Sequence, residues 1–167
     1  MANKSRLPAK ISPPKLSGIW PRKRLFNLLD EGREKSVIWV SGQLGAGKTA
    51  LVASYLETKK LPHAWFHIDA DDADPASFFH FLRGIAARQS RSKRLDALLP
   101  LLTPEYLPDL AGFARRWFRQ FFALLPTKFV LVFDNYQDAG LEAPLHSLLR
   151  DAADELPSNR AIPWNNL

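Results

Sequence analysis

The chain contains no cysteine among its 167 residues, which excludes disulfides, thiolate zinc sites and cysteine nucleophiles. No apolar run approaches the ~20 residues that a membrane-spanning helix needs, so a membrane is not an expected partner. The basic N-terminus (Lys4, Arg6, Lys10) has no apolar segment after it and is not a secretory signal. A cytoplasmic protein is the expectation. No zinc-finger, RNP or homeodomain pattern occurs, and base-stacking aromatics are not interleaved with the charges of the basic leader. Sequence-specific DNA contact by this chain is therefore not expected. Internal repeats are also lacking. The length suits one domain, and 46% hydrophobic with 24% charged residues is an ordinary soluble composition.

The net charge of +6 is unevenly placed. Residues 1–36 hold nine Lys or Arg against three Asp or Glu, whereas residues 37–167 hold fourteen of each sign. The basicity thus belongs to the leader and not to the body. Residues 1–18, with Pro8, Pro13 and Pro14, read as a solvated, extended basic arm.

Beyond the arm, strand and helix signals alternate. A short helix follows Pro21 and stops at Gly32. Ser36 to Val40 is a short apolar run that reads as a buried strand, and a glycine-rich loop leads from it into a helix over Lys48 to Thr58. A second strand covers Ala64 to Ile68. Asp74-Pro75 has the form of an N-cap with proline at the first helical position, ahead of a helix through Phe78, Leu82 and Ile85. Prolines interrupt residues 90–108, leaving one short helix from Arg94 to Leu99. Leu110, Phe113, Trp117, Phe121 and Leu124 then recur at helical spacing, a pattern of core residues. Phe129 to Phe133 is continuously apolar, as in a parallel strand buried on both faces. A last helix covers Leu141 to Glu155. Strands separated by helices predict an α/β fold with a parallel sheet.

One motif carries chemistry. Gly42-Gln43-Leu44-Gly45-Ala46-Gly47-Lys48-Thr49 fits the phosphate-loop pattern G-x-x-x-x-G-K-[ST], with a strand before it and a helix after it. Small residues let consecutive backbone N–H groups turn toward phosphate oxygens, and the helix start adds its positive dipole end. In this pattern Lys48 reaches the β- and γ-phosphates, and the Thr49 hydroxyl coordinates Mg²⁺. Together with Ala50, the next residue of the helix, this segment forms the expected cofactor-binding set. Asp134, at the end of the most strand-like run, is the second expected magnesium ligand. Asn135 follows where many such ATPases carry an acidic residue. An amide cannot accept the proton of an attacking water, so slow or absent turnover is the expectation. Asp69, Asp71, Asp72 and Asp74 lack the glycine and distal glutamate of a calcium loop and read as loop and cap residues. His63, His67, His80 and His146 show no metal-binding spacing and read as structural or surface residues.

The combination resembles the nucleotide-binding domain of STAND-class P-loop ATPases, in particular the large LuxR-type, MalT-like transcription regulators. Four segments carry the resemblance: Lys15-Leu16-Ser17-Gly18 through Pro21-Arg22-Lys23-Arg24-Leu25; Val40 through Thr49; Ala64-Trp65-Phe66-His67-Ile68-Asp69 through Asp74-Pro75-Ala76-Ser77-Phe78; and Val130 through Tyr136. It implies a P-loop NTPase fold with ATP or ADP and Mg²⁺ as cofactors. It further implies a switch in which ADP holds a regulator closed, ATP with an inducer opens it, and hydrolysis resets it. Arg22 is placed by the resemblance near the nucleotide base.

In such regulators a further strand with a sensor residue lies between the two strands that bear the Walker motifs, and helical, inducer-binding and DNA-binding regions follow. Here Leu156 to Arg160 is followed by Ala161-Ile162-Pro163-Trp164, and Pro163 cannot donate to a central ladder. The expectation is a copy truncated before the sensor strand, with an incomplete sheet. Residues 19–160 would form the nucleotide-binding domain and residues 161–167 an irregular tail. Unpaired sheet edges would invite self-association. Two other readings are a remnant without nucleotide function and a small-molecule kinase with Arg91, Lys93 and Arg94 as acceptor-side cations.

Overall fold

Val130–Asp134 has no polar residue before its last position, and all five residues are buried. Such a segment needs apolar cover on both faces and a strand on each side. The computed structural model, which describes residues 8–15, 21–33, 35–90, 94–157 and 162–165, supplies both. In chain order the elements are α1 (Lys23–Gly32), β1 (Val37–Val40), α2 (Lys48–Thr58), β2 (His63–His67), α3 (Pro75–Gln89), α4 (Leu95–Leu98), α5 (Leu110–Leu124), β3 (Val130–Asp134), α6 (Leu145–Asp154) and β4 (Ile162–Asn165). The four strands form one parallel sheet in the order β1-β4-β3-β2, so the predicted α/β class holds. α2 and α5 have the predicted extents to within a residue or two, and α3 starts at Pro75 as its cap predicted and runs to Gln89. The final helix begins later than expected, after a 3₁₀ turn over Tyr136–Ala139.

Two expectations are corrected. Residues 162–165 are a strand and not part of an irregular tail. β4 runs in register with β1 over four pairs, Val37↔Ile162 to Val40↔Asn165, and meets β3 at Phe133↔Trp164. Proline removes a single amide from a strand. The remaining backbone groups of β4 still support pairing, so the position between β1 and β3 is filled and the sheet is not split. The second correction concerns β1. It lies at an edge of the sheet, its residues alternate between exposed and half-buried, and Trp39 is 47% exposed. An apolar run of four residues does not distinguish an edge strand from a central one.

Alternation along β3 sends its side chains to opposite faces. Val130 and Val132 pack with Phe26 and Leu29 of α1 and with Val52, Tyr55 and Leu56 of α2. Leu131 and Phe133 join Phe78, Phe79 and Leu82 of α3, Trp117 and Phe121 of α5, and Leu148 and Leu149 of α6. The helical aromatics are therefore core, as their spacing predicted. On the first face, Tyr55 donates its hydroxyl to Asp30 at 2.7 Å, and Lys59 donates to the same carboxylate at 2.6 Å. This contact ties α2 to α1. The hydrogen bonds from Lys59 and Tyr55 hold the Asp30 carboxyl below its ordinary range, while burial, followed by the bond to Asp30, pushes the Tyr55 phenol up to about 12.

The leader is not simply solvated. Ala9–Ile11 form a 3₁₀ turn that docks beside β2, and the Ile11 side chain enters the core. Lys10 reaches Asp69 at 2.6 Å and Asp72 at 2.8 Å, and its ammonium lies over the Phe66 and Phe81 rings. The Asp72 side chain has no exposure. Burial raises its carboxyl above the ordinary value, against the lowering effect of Lys10. Asp69 and Asp72 also cap each other's backbone, and Asp74 accepts from the amides of Ala76 and Ser77 at the start of α3. The aspartate cluster thus performs the capping expected of it, with Lys10 added. Residues 1–7 and 16–20, which include the Leu16–Gly18 part of the resemblance, lie outside the described residues.

Folding raises the pKa of Tyr55, so its contribution to stability is complete below the ordinary tyrosine value of 10.0 and is lost as pH rises through about 12. Urea midpoints measured across that window should fall for the parent and fall less for Tyr55→Phe. Lys10→Met leaves Asp72 buried without its cation and should destabilise the chain by about 3–5 kcal/mol at neutral pH. That difference should shrink on acidification as Asp72 takes up a proton, and a further Asp72→Asn change should recover most of the loss. A loss in Lys10→Met below about 1 kcal/mol, the scale of an exposed pair, would show that the contact is a solvated surface one.

Candidate functional site

The loop between β1 and α2 turns on two glycines in the left-handed region, Gly45 (φ 78°) and Gly47 (φ 79°). Gly47 is the residue before α2, so the loop delivers its backbone directly onto the helix start. A Cβ on Gly47 would lie 3.2 Å from the Arg22 guanidinium, and Arg22 donates to the Ala46 carbonyl at 3.2 Å. The leader arginine therefore sits on the loop. Lys48 spans the loop, donating to the carbonyls of Gly42 at 2.7 Å and Gln43 at 3.2 Å. Gln43, Leu44, Gly45 and Ala46 are exposed, with Leu44 at the tip 96% accessible. Ala50 is half-buried in the first turn of α2.

Across the sheet, the end of β3 brings Asp134 to the same place. The Thr49 hydroxyl lies 3.0 Å from both Asp134 oxygens, although the residues are 85 positions apart. Asp134 is 4% exposed, and the Asn135 amide donates to one of its oxygens at 3.1 Å. Asn135 itself adopts φ 61°, which turns the chain sharply into the 3₁₀ turn beyond. Asparagine tolerates that conformation better than most residues. Together Gly45, Gly47, Lys48, Thr49, Asp134 and Asn135, with Leu44 and Gln137, border a cavity of about 210 Å³. The nucleotide- and magnesium-binding candidates from the sequence thus fall on this loop or beside it. Arg22 reaches it from the leader.

A larger cavity of about 410 Å³ lies elsewhere, between the α4 region and α5, and includes Tyr106, Trp117, Arg116 and Arg119. Its two arginines already face Asp109 and Glu155. Volume is therefore a poor guide here, and the smaller cavity holds the convergent polar groups. Arg91 and Lys93 lie outside the described residues, and Arg94 is exposed.

His67 was not singled out by its spacing. It ends β2 in register with Asp134, so both side chains share a face of the sheet. Its Nδ1 lies 3.7 Å from Asp134 Oδ2, and its Nε2 lies 3.0 Å from the Ser12 carbonyl oxygen of the leader. The pairing of the two strand ends was the signal that could have found it. Beyond Asn135, Tyr136 pairs with His146, and His146 also contacts the Gly140 carbonyl at 2.6 Å. Burial raises the Tyr136 phenol above its ordinary value, and its ring packs edge-on against Trp39 of β1. This cluster holds the segment behind the site in place. No helix among the described residues is long and apolar enough to cross a membrane.

Residues 19–162 match the family model described as Nephrocystin 3, N-terminal. The match covers most of the chain, which therefore belongs to the nephrocystin 3 N-terminal family. No curated protein matches it. The family description names no ligand and no reaction, and it does not mention the LuxR-type regulators of the sequence resemblance.

Proposed function

We propose that this chain is a P-loop nucleotide-binding domain that holds Mg-ATP or ADP at residues 42–50 and turns it over slowly or not at all. The observation that carries this reading is the Thr49–Asp134 contact of 3.0 Å beside the Gly45–Gly47 turn. The hydroxyl sits at the start of a helix and the buried carboxylate at the end of a strand, and the two meet beside a cavity. They form an oxygen pair suited to a hard divalent cation.

Magnesium fits this donor set. Thr49 and Asp134 would hold it from one side, with water and phosphate oxygens on the other. When bound, the ion supplies charge neutralisation on the phosphates. The remaining roles belong to the protein. Loop amides from Gly42 to Lys48 and the α2 dipole would receive phosphate oxygens. Lys48 would exchange its loop carbonyls for a phosphate, and Arg22 would border the nucleotide from the leader side. Asn135 can orient a water but cannot take its proton, which limits hydrolysis. The order of the strands also supports the reading, since both site segments leave the carboxyl ends of parallel strands, where α/β sheets bind ligands.

The wider setting, a switch domain of a STAND-type, LuxR-like regulator, rests on sequence resemblance alone. The remnant reading depended on an empty position between β1 and β3, and β4 occupies it.

A fluorescent ATP analogue titrated with Mg²⁺ should bind the parent saturably. Lys48→Ala should weaken binding by roughly 10- to 100-fold, the worth of a charge-assisted hydrogen bond of about 1.5–3 kcal/mol. Asp134→Ala should mainly remove the magnesium dependence. Ligand at ~100 times its dissociation constant should stabilise the parent by about 2.7 kcal/mol in a melt. Parent-like binding by Lys48→Ala would overturn the assignment.

A further inference from the structure

We infer that Gln137 is the residue by which this site tells a nucleoside triphosphate from a diphosphate, its carboxamide donating to the terminal phosphate. The inference rests on the reading of residues 42–50 as a nucleotide site and deepens it by naming the group that distinguishes the two ligands. The first support is position. Gly45, Gly47 and Lys48 border the cavity from the loop, and Asp134, Asn135 and Gln137 border it from the segment after β3. The Thr49–Asp134 contact joins the two sides. In phosphate-loop sites the loop and its lysine cradle the β- and γ-phosphates, and the cation bridges oxygens of both. A diphosphate seated on the loop ends at its β-phosphate. The added phosphate of a triphosphate falls toward Asp134 and the residues that follow it.

The second support is how the turn presents this residue. Asn135 bends the chain at φ 61°, and the 3₁₀ turn beyond it is closed by the Asp138 amide, which donates to the Asn135 carbonyl at 2.9 Å. In a 3₁₀ turn, residues three apart lie above one another. Tyr136 and Ala139 take the inward side: Ala139 is buried, and Tyr136 is fixed by His146 and by the Trp39 ring. Gln137 and Asp138 are left exposed, and of these two it is Gln137 that borders the cavity. Its backbone is thus anchored on both sides. Its carboxamide has no hydrogen-bond partner among the described residues and can turn to a ligand.

The third support is charge. Among the described residues on the cavity, Asp134 carries the one negative side chain, and the Thr49 hydroxyl and Asn135 amide both lie on its oxygens. Asn135 and Gln137 are neutral where a carboxylate would repel a phosphate. A carboxamide offers two N–H donors, and hydrogen bonds to an ionised acceptor are the stronger kind. With a diphosphate those donors stay with water. The bond is made with a triphosphate alone.

The test titrates fluorescent analogues of ATP and ADP, each with Mg²⁺, against the full chain and its Gln137→Ala, Gln137→Glu and Asp138→Asn variants. Gln137→Ala should bind the ATP analogue about 10-fold more weakly, the low end for a hydrogen bond to a charged group, and the ADP analogue as the parent does. Gln137→Glu should weaken ATP binding further, because a carboxylate adds repulsion to the lost donor. Asp138→Asn, in the same turn but off the cavity, should leave the ratio of the two affinities unchanged. A parent-like ratio in Gln137→Ala, whether both affinities hold or both fall together, would overturn the inference and leave the nucleotide reading standing. An equal shift of the ratio in Asp138→Asn would do the same, since the turn and not the carboxamide would then set it. A parent that binds neither analogue would remove the nucleotide reading, and the inference with it.

Discussion

Strand β3 sets the terms for the rest of the molecule, because all five of its residues are buried and its two faces are both apolar up to Asp134. A strand of this kind must have a neighbour on each edge and a helix layer on each side. The edges are taken by β2 and β4. α1 and α2 cover one face, and α3, α5 and α6 cover the other. The single carboxylate at its end cannot be buried without donors, and the Thr49 hydroxyl and Asn135 amide supply them. Burial of the strand and construction of the site are thus one requirement met at one place.

The site inherits its precision from that sheet. Parallel strands in register bring their carboxyl ends to one level, so the helix start after β1 meets Asp134 at the end of β3, and His67 at the end of β2 lies beside Asp134, without any of them being close in sequence. Side chains on strand ends and the first turn of a helix are better fixed than side chains on loops. The loop itself is exposed, yet its conformation is held by the left-handed glycines and by Arg22 and Lys48 on its carbonyls.

The leader contributes more than charge. Its basic residues divide by environment: Lys10 is drawn into a buried carboxylate pair, and Arg22 rests on the loop. The carbonyl of Ser12 orients His67. A basic segment with a net excess of positive charge would ordinarily stay in water, because burying a lysine without a partner is costly. Asp69 and Asp72 make the exception, and the aromatic faces of Phe66 and Phe81 extend it.

Local patterns were sufficient wherever the physics is local. Glycine spacing marked the loop, Asp74-Pro75 marked the start of α3, helical periodicity marked the aromatic core face of α5, and the unbroken apolar run marked β3. The hydroxyl, lysine and carboxylate of the candidate site were legible for the same reason, since each sits at a fixed offset from such a pattern. What depended on pairing between distant segments was not legible. The rule that proline avoids central strands concerns one amide, and the pairing of β4 with β1 and β3 outweighed it. Short apolar β1 could not reveal that it occupies an edge. Lys10 and His67 carry no local signature, because their partners lie 59 to 67 positions away from them in the chain at Asp69, Asp72 and Asp134. Local sequence patterns were enough to mark most of the elements and the residues of the candidate site. Their neighbours emerge in the folded chain alone, because strand order and register are set by how the whole sheet buries its two faces.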